Sequence, residues 1–230
     1  MPQAAPVDKR RLLEQHPLFG RLGADDLDRL VTYMRVARYP RRAVLFRKGD
    51  PGANMMVVLH GRVKVCTHSE DGRELVLNLF SPGEVFGEIA LLDGADRTAD
   101  AVALDDCELL VLERRDFIPF LRSHPDAALR LMEVLCQKLR QTSQLLEEAL
   151  FLEGPSRLAK RLVHLAEAFG RPVADGVRIE LQLSQQQLGN MVGMSRESMN
   201  KHLRQWREAD LIRIQEGHYV VTDLEALRQM

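Results

Sequence analysis

The chain has 230 residues, 45% of them hydrophobic and 28% charged, with a formal net charge of -1 at pH 7. Such values fit a globular protein of one large domain or two modest ones, and they exclude a generally basic nucleic-acid binder, so any basic surface must lie on one face of one element. The N-terminal "MPQAAPVDKRRLLEQHP" has no apolar signal core, no apolar run approaches the ~20 residues that span a bilayer, and Cys66, Cys107 and Cys136 show no metal-ligand spacing, which together predict a cytoplasmic chain with small buried thiols, no membrane contact and no metal.

The first forty residues read as short helices. "PLFGRLGADDLDRLVTYM" places Asp25 and Asp26 in a first turn, followed by Leu27, Leu30, Val31 and Met34 at helical spacing. From Tyr39 the texture becomes that of strands. The run from Ala43 to Gly87 is a set of short β-like segments cut at Gly49-Asp50-Pro51-Gly52, His60-Gly61, Asp71-Gly72 and Pro82-Gly83. Asp71-Gly72 between "RVKVCTH" and "RELVLNLF" is a hairpin signal. Strand character resumes in "ADAVALDDCELLVLERRDF", and the whole predicts a small antiparallel roll.

The period then lengthens. Residues 126–152 contain no proline or glycine, and Ala128, Met132, Leu135, Leu139, Thr142, Leu146 and Ala149 step alternately by four and three. That narrow seam predicts a long helix that pairs with a second copy in parallel, with Thr142 as its hydroxyl position and Ser143 beside it. Gly154-Pro155 breaks the helix, and proline near a first helical position starts another. The expected divisions are a roll over residues 1–125, a dimerisation helix and hinge over 126–153, and a second domain over 154–230.

In the last segment Ser184 caps a helix carrying Leu188, Met191 and Val192. Gly193 turns the chain, and Ser195 caps a second helix. Two helices joined this way form a helix-turn-helix. On the second, Met199, Leu203 and Trp206 share the core face, while Arg196, Asn200 and Arg204, with Glu197 and Lys201 alongside, form a polar face suited to base edges. "LIRIQEGHYVVTD" then reads as a hairpin wing turning at Glu216-Gly217.

With "KGDPG", "HGRVKV", "FGEIALL…DRTA", "RQTSQLL" and "QQLGNMVGMSRESMNKHL" in this order, the chain resembles the cyclic AMP receptor protein family, or Crp–Fnr regulators, from about Leu18 to Thr222. The resemblance implies an α+β protein: an N-terminal cyclic-nucleotide-binding β-roll of eight strands, a long dimerisation helix and a C-terminal winged helix-turn-helix. It implies an anion site at Gly87, Glu88, Ile89 and Ala90, with Glu88 accepting from a ribose 2′-hydroxyl. Arg97 and Thr98 would hold the cyclic phosphate, Leu77 and Asn78 would wall the base and sugar, and Thr142 and Ser143 would meet adenine, one hydroxyl from each subunit. For DNA it implies Ser184, Gln186, Ser195, Arg196, Glu197, Ser198, Asn200, Lys201 and Arg204, with Arg196 and Glu197 reading guanine and cytosine. The chain departs from the pattern in Thr98 for a usual serine, Lys201 for a usual arginine, and a Glu88-to-Arg97 segment one residue shorter than in enteric members, with the loop "LDGAD".

Cyclic AMP is the implied effector and double-stranded DNA at a two-fold operator the implied partner, with RNA polymerase added if the protein activates. Cyclic GMP, another effector or no ligand are alternatives on the same scaffold. A nucleotide-binding module acting through protein contacts is the alternative of another class. No Ser/His/Asp set, P-loop, cupin-type ligand cluster or haem pattern points to an enzyme, and His60 and His68 read as ordinary polar residues.

Overall fold

The structure is a computed structural model describing residues 9–14, 16, 19–20 and 22–230. Leu18, where the resemblance begins, lies outside the described residues. The chain forms two compact units, one of residues up to Thr67 with Leu77–Arg140, the other of His68–Val76 with Gln141–Met230.

The first part of the chain begins with α1 (Lys9–Glu14) and α2 (Ala24–Tyr33), the latter carrying Asp25 and Asp26 in its first turn as expected. Eight strands follow among the described residues: β1 (Arg35–Tyr39), β2 (Val44–Phe46), β3 (Asn54–His60), β4 (Val63–His68), β5 (Glu74–Phe80), β6 (Val85–Phe86), β7 (Asp100–Ala103) and β8 (Cys107–Glu113). They make two four-stranded sheets, ordered β1-β8-β3-β6 and β2-β7-β4-β5. A six-residue helix, α3 (Glu88–Asp93), interrupts the strands; α4 (Arg114–Ser123) and α5 (Pro125–Phe151) follow them. Two sequence expectations shift. Strand begins at Arg35 rather than Tyr39, and "RRDF" is helical, because Phe117 and Phe120 stand three residues apart and both bury on one face of α4.

Strand β3 shows why its apolar run is continuous. Met56 and Val58 face the roll interior with Phe80, Phe86, Leu109 and Val111, while Met55, Val57 and Leu59 face Leu27, Leu30, Phe117 and Leu131. A strand buried on both faces loses the polar alternation of a half-exposed one. Inside the roll, Phe86 lies between Phe80 and Phe46, with ring centroids 5.3 and 6.2 Å away. Deleting its ring would leave a cavity costing about 3–5 kcal/mol.

Helix α5 buries Ala127 and Leu131 near its start. Further along, the seam is bare in the single chain: Leu139 is 66% and Leu146 60% exposed. Two residues, Leu152 and Glu153, separate α5 from α6 (Gly154–Phe169), which has Pro155 in its first turn. Arg157 closes this joint, donating from Nη1 to Leu152 O at 2.6 Å and from Nε to Val192 O at 3.0 Å. Lys160 pairs with Glu148 of α5 at 3.3 Å.

The C-terminal part then adds β9 (Gly170–Val173), β10 (Gly176–Ile179), α7 (Gln185–Val192), α8 (Arg196–Glu208), β11 (Ile212–Gln215), β12 (His218–Val221) and α9 (Leu224–Arg228). The wing is present, turning at Glu216 and Gly217, which both have positive φ. The sheet is larger than expected, ordered β11-β12-β10-β9. The β9–β10 hairpin was missed, although Asp175-Gly176 between "RPV" and "VRI" is a turn signal of the kind used elsewhere in the chain. Among the described residues no helix is long and apolar enough to cross a membrane.

Candidate functional site

Among the described residues, two charged side chains are buried: Glu88, 4% exposed, and Arg97, 5% exposed. Local backbone places both. Gly87 takes φ 79°, a left-handed conformation that suits glycine, and turns the chain from β6 into α3 with Glu88 as its first residue. The "KGDPG" turn anchors the other side, since Arg97 N donates to Asp50 O at 2.8 Å and Gly49 N donates to Arg97 O at 2.9 Å. The two glycines also clear space for the guanidinium. A Cβ at Gly87 would lie 2.7 Å from Arg97 Nη1, and one at Gly52 would lie 3.2 Å from Arg97 Cδ and 2.2 Å from Ala90 Cβ.

Arg97 makes neutral contacts. Nη1 donates to Gly87 O at 2.9 Å and Nη2 to Asn54 Oδ1 at 2.7 Å, and the guanidinium sits 4.1 Å from the Phe46 ring centroid. Its Nε is buried with no hydrogen-bond partner among the described residues. Burial pulls the guanidinium below its usual pKa, opposed by the more distant charges of Asp50, Glu113 and Glu88. A buried cation held by an amide, a carbonyl and a ring retains an unneutralised charge, and an anionic ligand would supply the missing partner.

Glu88 has a cation of its own. Lys138, from α5, places Nζ 2.8 Å from Glu88 Oε1 and 3.0 Å from Val85 O, and 5.4 Å from the Phe80 ring centroid. Lys138, Asn54 and Phe46 escaped the sequence reading. Lysine on a helix resembles any solvated residue, and the asparagine and phenylalanine sit in strand segments far from Arg97 in sequence.

The other expected ligand residues are placed as follows. Ile89, Leu77 and Thr98 are exposed, and Ala90 is buried under Gly52. Asn78 is half-buried and accepts from Leu79 N through Oδ1 at 2.9 Å. Thr142 and Ser143 are exposed on α5. In the "LDGAD" loop, Gly94 ends α3 in a left-handed conformation and Asp93 Oδ1 accepts from Ala95 N at 2.8 Å.

The helix-turn-helix forms as the caps predict. Ser184 and Gln187 make a reciprocal capping box on α7, and Ser195 Oγ accepts from Ser198 N on α8 at 3.2 Å. Gly193 supplies the left-handed turn between them. Met199, Leu203 and Trp206 are buried, whereas Arg196, Glu197, Asn200, Lys201 and Arg204 are exposed together. The two capping serines thus already engage their hydroxyls, and Ser198 is half-buried. Gln186 is exposed and donates to Asn190 Oδ1 at 2.8 Å. Arg204 is drawn to Glu208, with Nε 2.9 Å from Oε1.

Comparison with known proteins assigns a family to each part of the chain. The cyclic nucleotide-binding domain family matches residues 36–124, and the Crp-like helix-turn-helix domain family matches residues 156–230. The cyclic AMP receptor protein of Thermus thermophilus is 31% identical over 214 residues, covering 93% of this chain and 96% of that protein. The CRP-like cAMP-activated global transcriptional regulator of Mycobacterium tuberculosis is 29% identical over 198 residues, covering 86% and 88%. Among solved structures, the c-di-GMP-responsive global regulator CLP of Xanthomonas campestris superposes with a TM-score of 0.76 at 26% identity, covering 87% of this chain and all of that one.

Proposed function

The chain belongs to the Crp–Fnr family of DNA-binding transcription regulators, which are not enzymes, and from that premise we propose that it is a homodimer switched by cyclic AMP. The observation that carries the effector reading is Arg97, buried and, among the described residues, without a counter-anion in contact or a partner for Nε, beside the Gly87 turn. In this reading Arg97 and Thr98 bind the cyclic phosphate together with the backbone N–H groups of Gly87, Glu88, Ile89 and Ala90. Glu88 accepts from the ribose, Leu77 and Asn78 line the base and sugar, and Thr142 and Ser143 of the paired helices take the adenine edge.

The homodimer reading rests on the bare seam of α5, whose exposed Met132, Leu139 and Leu146 need a second copy to leave water. Effector binding then selects between two dimer states, and the joint at Leu152–Glu153 carries the choice to the recognition helices. Those helices would enter successive major grooves roughly 34 Å apart, with Arg196 and Glu197 on base edges, Asn200 and Lys201 beside them, and Ser184, Gln186, Ser195, Ser198 and Arg204 flanking. Such a protein acts in the cytoplasm, and contact with RNA polymerase follows if it activates.

Titration calorimetry of the full chain with cyclic AMP, cyclic GMP and c-di-GMP tests the effector. Cyclic AMP is expected to bind one per chain and to tighten a gel shift on two-fold DNA. Heat with c-di-GMP alone would assign the effector to which the Xanthomonas regulator responds instead. No heat with any of the three would remove the nucleotide reading.

A further inference from the structure

Arg97 is held by three neutral groups, and one of them, Asn54, stands where an aspartate would fit in the same shape. Arg97 Nη2 donates to Asn54 Oδ1 at 2.7 Å, Nη1 donates to Gly87 O at 2.9 Å, and the Phe46 ring centroid lies 4.1 Å from Arg97 Cζ. Arginine only donates, so the amide atom that faces it must be the oxygen. Resting on the reading of Arg97 as the anion contact, we propose that Asn54 is a positioning residue that fixes the guanidinium without neutralising it and so keeps its charge for the ligand.

The backbone around Asn54 is well placed to hold a partner still. Asn54 opens β3 opposite Glu113, the last residue of β8. Before it, Ala53 O accepts from Arg114 N at 2.7 Å; after it, Met55 and Met56 are buried. The amide is therefore delivered from a packed strand and not from a loop. The Asn54 carbonyl also borders the Gly87 turn, since a Cβ at Gly87 would lie 3.4 Å from Asn54 O. Asn54, Arg97, Gly87 and Phe46 all belong to one compact unit.

The choice of amide over carboxylate has a consequence in charge. A carboxylate at this position would form an ion pair with Arg97 and complete a cation whose pKa burial pulls down. Asn54 is half-buried, so a carboxylate there would stay partly solvated and ionise at small cost. An arginine closed in such a pair attracts an incoming anion less. The amide gives the same anchoring geometry and leaves the charge open. A guanidinium has five N–H donors in one plane. Gly87 O and Asn54 Oδ1 take one each, so Nε and the remaining Nη hydrogens face an oxyanion already oriented.

The test compares the full-length protein with Asn54→Asp and Asn54→Ala, each melted without ligand and titrated with cyclic AMP by calorimetry. Asn54→Asp should raise the melting midpoint by roughly 2–4 °C and weaken binding at least roughly tenfold. Asn54→Ala should weaken binding to a similar degree without raising the midpoint. Stability and affinity moving in opposite directions mark a redirected charge, because a merely structural defect lowers both. In an Arg97→Met background, Asn54→Asp should no longer stabilise. If either variant binds as the parent does, or Asn54→Asp melts at or below the parent, the role of Asn54 is overturned while the effector reading stands on the parent's own binding. If the parent binds no cyclic AMP, the effector reading falls. The melting shift then decides alone: its presence, and its loss with Arg97→Met, support Asn54 as a neutral anchor, and its absence overturns it.

Discussion

Lys138 Nζ stands 2.8 Å from Glu88 Oε1, so the buried acid at the start of α3 is matched by a cation from the long helix. The Gly87 turn and the long helix are thereby linked by an ion pair. The Glu88 side chain is 6% exposed and the Lys138 side chain 30%. Lys138→Met should strand the carboxylate, a change that costs about 3–5 kcal/mol for a fully buried pair and about 1–3 kcal/mol at this exposure. Urea denaturation of the protein without ligand measures it. A loss below about 0.5 kcal/mol would show that the pair is solvated and weak.

Arg97 predicts the opposite sign. Its charge is desolvated with no counter-ion in contact among the described residues, so Arg97→Met should leave the ligand-free protein as stable or up to about 1 kcal/mol more stable. Nucleotide affinity should fall roughly 10–100-fold, the worth of hydrogen bonds to a charged group. Thermal melts paired with calorimetry separate the effects. Unchanged affinity would sink the phosphate role.

Leu139 tests the seam. It is 66% exposed in the single chain, so Leu139→Lys should not disturb the fold of that chain. It should convert a dimer to a monomer in sedimentation velocity and weaken operator binding with it. A variant that stays dimeric would move the interface elsewhere.

Arg196 tests base reading. Arg196→Ala should cost about 1–3 kcal/mol on the operator with guanine at one position and little on operators changed there. Equal loss on every sequence would assign the side chain to phosphate.

His16 gives a pH signature. Burial, with the nearby charge of Lys138, lowers its pKa to about 4 from an ordinary value of 6.5. The unfolded chain therefore takes up a proton at higher pH than the folded one. The stability His16 contributes is fully present above pH 6.5 and is lost as pH falls from there to about 4, by up to about 3 kcal/mol. His16→Asn should flatten that part of the stability profile in denaturant melts from pH 7 to 4. A variant profile parallel to wild type would show that other groups set it.

Local signals were legible wherever neighbours in sequence decide the conformation. The capping serines 184 and 195, the left-handed glycines at 49, 61, 72, 83, 87 and 193, and the step of the α5 seam all point to elements that form. Glu88 and Arg97 were legible because one short segment, with the Gly87 turn, contains both. Their partners were not, since Asn54 and Lys138 arrive from positions 43 and 50 residues away through tertiary folding. The reading of "RRDF" as strand failed for a simpler reason: its boundary lies where a buried strand meets an amphipathic helix and both are apolar.

The joint between α5 and α6 is two residues long and is held by Arg157 and Lys160, both from α6. A link this short has almost no slack, so it works as a crank and not as a tether. Its output depends on phase: each helical residue added before it turns whatever follows by about 100°. The count of residues in the joint, more than their identity, sets the phase at which α6 starts.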